Sequence, residues 1–147
     1  MDSIPSPTVR AAQASDAVAL AELCRQLGYP TTPDALPPRL ARLDADPAVR
    51  TLVAATDGMV IGLATVHIRY TINHEPPLGQ LTLLVVDERA RARGVGRALV
   101  AAAEAWAREQ GCKRFVVTTA LHRTDAHAFY EKLGFKHTGR RYGKDFS

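Results

Sequence analysis

The stretch LTLLVVDERARARGVGRALV, Leu81 to Val100, leaves the chain few ways to fold. Leu81, Leu83, Leu84, Val85 and Val86 form an apolar run of the kind found in a strand covered on both faces, and Asp87 and Glu88 end it. Val95, Leu99, Ala102, Ala103 and Trp106 then recur at helical spacing. Between the two lies an arginine-rich turn with Gly94 and Gly96, where the first amides of a helix have no intrahelical partner. Glycine has no Cβ to hold a ligand off the backbone, and the helix dipole favours negative charge there. An anion such as a pyrophosphate therefore suits the place. Arg89, Arg91, Arg93 and Arg97 against Asp87 and Glu88 leave the turn at +2. The same letters also describe a solvated basic turn in which one glycine caps and the other packs.

Two familiar phosphate loops are excluded by their own requirements. A Walker loop needs Gly-Lys-Ser/Thr, and here Gly96 is followed by Arg97 and Ala98. A dinucleotide fingerprint needs a small third residue where Leu99 stands, and an acid ending the next strand. That strand, Arg114 to Thr119, ends in two threonines.

A chain of 147 residues carries one domain with a proper core. A net charge of +4 makes anionic ligands acceptable, and much of that excess already sits in the turn. A nucleic-acid-binding module would need basic residues interleaved with exposed aromatics, yet aromatics are 6% and stand mostly at core-like positions. The five histidines have no metal-ligand spacing, so no metal is expected. Cys24 and Cys112 have no CxxC spacing and read as reduced thiols. No signal peptide and no apolar run of about 20 residues is found, which points to a cytoplasmic protein with no membrane partner.

Thr8 to Ala12 reads as a first strand, and Ser15 and Asp16 as caps of a helix that Gly28 ends. Prolines bracket a short helix around Leu36 to Leu43. Val49 to Thr56 and Met59 to Ile68 flank Asp57-Gly58 as a hairpin. Tyr70 to Leu78 reads as a loop before the apolar strand. After the long helix come a strand from Arg114, a helix from about Asp125 to Leu133 stopped by Gly134, and a last hairpin over Lys136 to Phe146. The expected order is β-α-α-β-β-β-α-β-α-β-β, an α/β domain spanning the whole chain.

Two motifs in this order resemble the GNAT superfamily of acyl-CoA-dependent N-acyltransferases. Its Arg/Gln-x-x-Gly-x-Gly/Ala signature is matched by Arg91, Gly94 and Gly96. Its later A-x-x-FY-x-x-x-GF element is matched by Ala126, Phe129, Tyr130, Gly134 and Phe135. The resemblance implies a mixed sheet splayed open between its fourth and fifth strands, with the cofactor in the split. By similarity, acetyl-CoA is the co-substrate: the amides of Ala92, Arg93, Gly94, Val95, Gly96 and Arg97 take its pyrophosphate. The backbone of Leu84, Val85 and Val86 pairs with the pantetheine arm, and Arg91 or Arg93 reaches the adenosine phosphate. Arg123 stands where relatives often carry an asparagine. Within R-x-x-AH-x-FY it resembles a subgroup of small-molecule acetyltransferases that includes aminoalkylphosphonate N-acetyltransferases.

Acyl transfer to an amine needs the donor held, the amine made neutral and the departing thiolate protonated. Tyr130 matches the tyrosine to which the last role is ascribed in relatives, and a phenol with a pKa of about 10 stays protonated at neutral pH. The alternative is that Tyr130 only packs against the sheet. Many relatives place a glutamate on the fourth strand, but Leu81-Thr82-Leu83-Leu84 offers none. His67, His74, Glu75 and Gln80 are the polar residues nearby, and His74 and Glu75 are the candidates for the base because they fall in the proline-flanked loop. His127 is expected away from the chemistry. The implied activity is acetylation of a primary amine, with a small molecule favoured over a peptide because no acidic run could form a cationic-peptide groove. A non-catalytic acyl-CoA sensor is the other class. The terminal strands offer an edge for a homodimer.

Overall fold

The computed structural model describes residues 6–118, 124–139 and 141–146, with side chains from 126 onward in the helix that begins at Thr124. β1 (Thr8–Ala11), α1 (Ala17–Leu27), α2 (Leu36–Asp44), β2 (Val49–Thr56), β3 (Met59–Thr71), β4 (His74–Val86), α3 (Val95–Glu109), β5 (Arg114–Val117) and α4 (Thr124–Lys132) follow in chain order. The strands form one sheet in sequence order, antiparallel through β4 and parallel between β4 and β5. This is the mixed α/β architecture expected.

Each sheet face buries its own apolar layer. Leu52, Ala54, Ala64, Val66 and Leu81 meet Val95, Leu99, Val100 and Ala103 of α3 on one face. Val53, Leu63 and Val85 meet Leu20, Leu23, Leu36 and Leu40 of α1 and α2 on the other. α3 lies unusually close to β3 because Gly62 is beneath it: a Cβ there would stand 2.8 Å from Leu99 Cδ1. Asp57 and Gly58 both adopt positive φ, 52° and 77°, as the tight β2–β3 turn requires.

Three expectations are corrected. Tyr70 to Leu78 is not a loop: β3 runs to Thr71 and β4 starts at His74, joined through Ile72 and Asn73. Pro76 and Pro77 are tolerated because the β3–β4 register is irregular beside them and β5 pairing begins only at Leu78. The terminal hairpin is also not formed. Residues 136–139 and 141–146 lie in no strand and, from Lys136 on, are exposed, since glycines and charges there leave too little apolar alternation to bury a face. Asp16, finally, makes no side-chain cap bond to α1. It accepts Gln13 N at 2.8 Å and is held by both terminal nitrogens of Arg10 at 2.9 Å, tying β1 to the start of α1.

Arg10, acting first through that hydrogen bond, holds the buried Asp16 carboxyl below its usual range. A carboxyl lowered in the folded state stabilises the fold above its unfolded pKa and loses that contribution as pH falls through the folded value. Asp16→Asn should therefore cost about 1–2 kcal/mol at pH 7, Arg10 being partly exposed. The gap from wild type should narrow toward pH 3, as urea unfolding at the two pH values will check.

Candidate active site

The site begins where the described pairing of β4 with β5 ends. β4 pairs with β5 from Leu78 opposite Arg114 to Leu81 opposite Val117, and there β5 ends. β4 continues to Val86, and among the described residues this last part of its outer edge has no strand beside it. A bulge lies at the same point. Thr65 faces Leu83 and Val66 faces Leu81, so Thr82 is the extra residue, its hydroxyl donating to the Thr65 carbonyl at 3.3 Å. Bulges bend and twist the strand that carries them, which suits an end that leaves its neighbour. The Gln80 side-chain amide donates to Thr118 Oγ1 at 3.2 Å, tying β4 to the residue just past the last β4–β5 rung.

β4 delivers the chain into the glycine turn, which is braced from below. Buried Asp87 donates its amide to Ile61 O at 2.8 Å, and its carboxylate accepts Arg89 N at 2.9 Å and the Arg89 side chain at 3.1 Å. The Arg89 guanidinium lowers the Asp87 pKa. Gln26 of α1 accepts Glu88 N at 2.9 Å. The turn then takes left-handed backbone at Ala92 (φ 65°) and Gly94 (φ 80°), an alternation that aims successive amides into one concavity. α3 opens at Val95 with Gly94 as its N-cap and no capping side chain, leaving its first amides unpaired. A Cβ on Gly94 would meet nothing within 4 Å, so the space above the turn is open. Gly96 serves differently: a Cβ there would lie 3.1 Å from Phe129 Cζ, so α4 packs on the start of α3. With Arg89 tied to Asp87, the exposed Arg91, Arg93 and Arg97 carry the turn's positive charge. Arg91 Nε also leans toward Val86 O at 3.4 Å.

A row of rings borders the opening. Phe115 meets Phe135 at 6.1 Å, Phe135 meets Tyr130 at 5.7 Å, and Tyr130 meets Phe129 at 5.2 Å, the last two edge-on. Phe115 is level with Gly79 on β4 and Phe129 sits against Gly96, so half-buried Tyr130 stands between the closed end of the split and the turn. Leu84, Val85, Val86 and the turn from Arg91 to Arg97 are thus brought together with Tyr130. His74 and Glu75 are not. They are exposed at the tip of the β3–β4 hairpin, about 20 Å along β4 from Leu81, where the β5 pairing ends, at a strand rise of about 3.3 Å per residue. The loop that was to carry them to the chemistry is strand. Arg123 lies outside the described residues, and His127 is half-buried on α4.

A cleft of about 370 Å³ lies on the other flank of the turn, between Met59, Ile61, Arg93 and Val95, and includes neither Tyr130 nor the split. No helix among the described residues is long and apolar enough to cross a membrane. Sequence reasoning missed Gln26 and Thr82. Nothing local marks Gln26, whereas a lone threonine inside an apolar run was a readable sign of the bulge.

The family model described as Acetyltransferase (GNAT) family matches residues 16–135. The chain is 36% identical over 140 residues to an aminoglycoside N(6')-acetyltransferase type 1 of Stenotrophomonas maltophilia, covering 92% of this chain and 90% of that one. It is 33% identical to an aminoalkylphosphonate N-acetyltransferase of Salmonella typhimurium, over 67% of this chain and 64% of that one. Its fold superposes with a TM-score of 0.84 and 24% identity on the aminoglycoside N-acetyltransferase AAC(6')-Iy in complex with CoA, covering 99% of both chains. The chain belongs to the GNAT acetyltransferase family. It is an N-acetyltransferase whose acetyl donor is acetyl-CoA.

Gly94→Val would force a β-branched residue to φ 80° at a cost of about 1–2 kcal/mol and place it in the open space over the turn. Acetyl-CoA affinity measured by calorimetry should fall tenfold or more. Ala92→Gly relieves the same kind of strain and should raise stability by up to about 1 kcal/mol with binding intact.

Proposed function

We propose that the chain acetylates a primary amine of a small molecule, with Tyr130 protonating the departing thiolate. One observation carries this reading: a strand edge with no partner strand among the described residues and a helix start with no capping side chain lie at the two ends of one braced turn, beside Tyr130. The backbone edge at Leu84, Val85 and Val86, which has no strand beside it among the described residues, would pair with the pantetheine arm. The amides from Ala92 to Arg97 would hold the pyrophosphate, and Arg91 or Arg93 the adenosine phosphate. Acetyl-CoA supplies an activated acyl carbon and a thiolate leaving group. Tyr130 then gives its hydroxyl proton to the sulfur, while the ring contacts on both sides hold the phenol in place.

The substrate class draws support from the two relatives, whose names place the acetyl group on an aminoglycoside and on an aminoalkylphosphonate. Both are amines of small molecules. A sensor without turnover is disfavoured by Tyr130 itself. The reading places the enzyme in the cytoplasm, consistent with two unpaired thiols, and makes it a homodimer, supported by the outer edge of β5, which pairs with no strand among the described residues. Sedimentation velocity at micromolar protein should give a species of twice the chain mass, and a single monomer boundary would remove the dimer.

A panel of an aminoglycoside, an aminoalkylphosphonate and a lysine peptide with acetyl-CoA, followed by free-thiol release, tests the activity. Turnover with one of the first two is expected. Turnover with the peptide alone would reassign the substrate. Tyr130→Phe should lower kcat about 10²-fold with acetyl-CoA affinity unchanged. Given their distance, His74→Ala and Glu75→Gln should leave the pH–rate profile as in wild type.

A further inference from the structure

We infer that His67 and Gln80, joined through Gln80 to Thr118, form the station that takes the proton from the acceptor amine. The inference rests on the acetyl-transfer reading above. It starts from which face each residue occupies. Ala64 and Val66 of β3 enter the layer under α3, and Leu63 enters the layer under α1 and α2. Strand alternation therefore puts Thr65 and His67 on the α1–α2 face. On β4, Leu81 belongs to the α3 layer, which turns Gln80 to the same face as His67. The two are register partners, an arrangement that holds Cβ atoms about 5 Å apart. Thr118, which Gln80 reaches at 3.2 Å, is the first residue past the final β4–β5 rung. Three polar side chains, on β3, on β4 and just past β5, thus line up where the β4–β5 pairing ends. They lie on the face opposite the layer to which Tyr130 belongs.

Nitrogen and sulfur occupy different corners of the tetrahedral carbon formed on attack, so one group can remove a proton from the first while a separate group supplies one to the second. Polar character continues along the acceptor face. Thr51 is the register partner of Thr65, and its buried hydroxyl has no protein partner among the described residues, which marks a place for bound water. His67 is half-buried. Burial, helped by Arg69, pushes its imidazole pKa down, and Asp46 opposes the shift. The groups facing it are Asp46 from the α2–β2 link, Arg69 on its own strand, uncharged Gln80 from β4 and Val49 from β2. A neutral imidazole is thus available near pH 7.

In the step itself, the ammonium gives one proton to His67, directly or through a water that the Gln80 amide holds, and His67 releases it to solvent. The neutral nitrogen forms its bond to the acyl carbon as the carbon–sulfur bond breaks. The sulfur takes the Tyr130 proton, and the second proton lost by the nitrogen balances the one Tyr130 regains. One proton is released for each amide formed.

His67→Gln and Gln80→Leu in the full chain test this, with the calorimetric heat of acetyl-CoA confirming that both variants fold. With the alkyl amine of the panel that turns over fastest, kcat should fall about 10²-fold, and the acid limb of kcat/KM against pH should lose its inflection in His67→Gln. Methoxyamine is already neutral at pH 7 and needs no base, so both variants should acetylate it at the wild-type rate. In the CoA complex, the ¹⁵N signals of the His67 imidazole should shift when the alkyl amine is added to wild type and stay still in Gln80→Leu. Unchanged kcat and pH profile in both variants, or equal losses with methoxyamine, would overturn the inference. Absence of acetyl-CoA heat in the wild-type protein would instead remove the acetyl-transfer reading beneath it.

Discussion

Backbone amides and carbonyls demand partners, and among the described residues this fold leaves two sets of them without backbone partners near one turn. β5 stops at Val117 while its neighbour continues for five residues, and α3 begins without a capping side chain. Neither is an accident of fraying. The strand carries a bulge at Thr82, and the turn is pinned by Asp87, Arg89 and Gln26 before its amides are presented. Organisation of this kind lowers what a ligand must spend in ordering its receptor.

The elements around the turn were legible because their signals are local. A continuous apolar run, a left-handed glycine and a helical repeat each report on a few neighbouring residues, and the structure follows them from Leu81 to Glu109. Asp57-Gly58 was equally plain. What failed depended on partners elsewhere in the chain. Pro76 and Pro77 look like loop residues in isolation, yet a strand can carry them where one side has no neighbour. The reverse error occurred at the C-terminus, where Tyr142 and Phe146 suggest strand but find no layer to enter.

The same division runs through the site. Tyr130 and the glycines belong to short motifs and could be named from spacing. Thr118, Gln80 and His67 are 38 and 13 residues apart in sequence and meet only through register, so no window of sequence connects them. His74 drew attention because it sits beside prolines, but an extended strand converts a short sequence separation into a long distance.

The sheet's two apolar layers give a final consequence. Most donor-side groups, Leu84, Val86 and Tyr130 among them, rest on the layer beneath α3, whereas the α1–α2 elements rest on a separate one that includes Val85. Substitutions in different layers, far enough apart to share no neighbours, should be nearly additive. Such a scaffold can drift in what it acetylates by substitutions on the α1–α2 side that spare Val85 and Gln26, the two residues there that serve the grip on the nucleotide thioester.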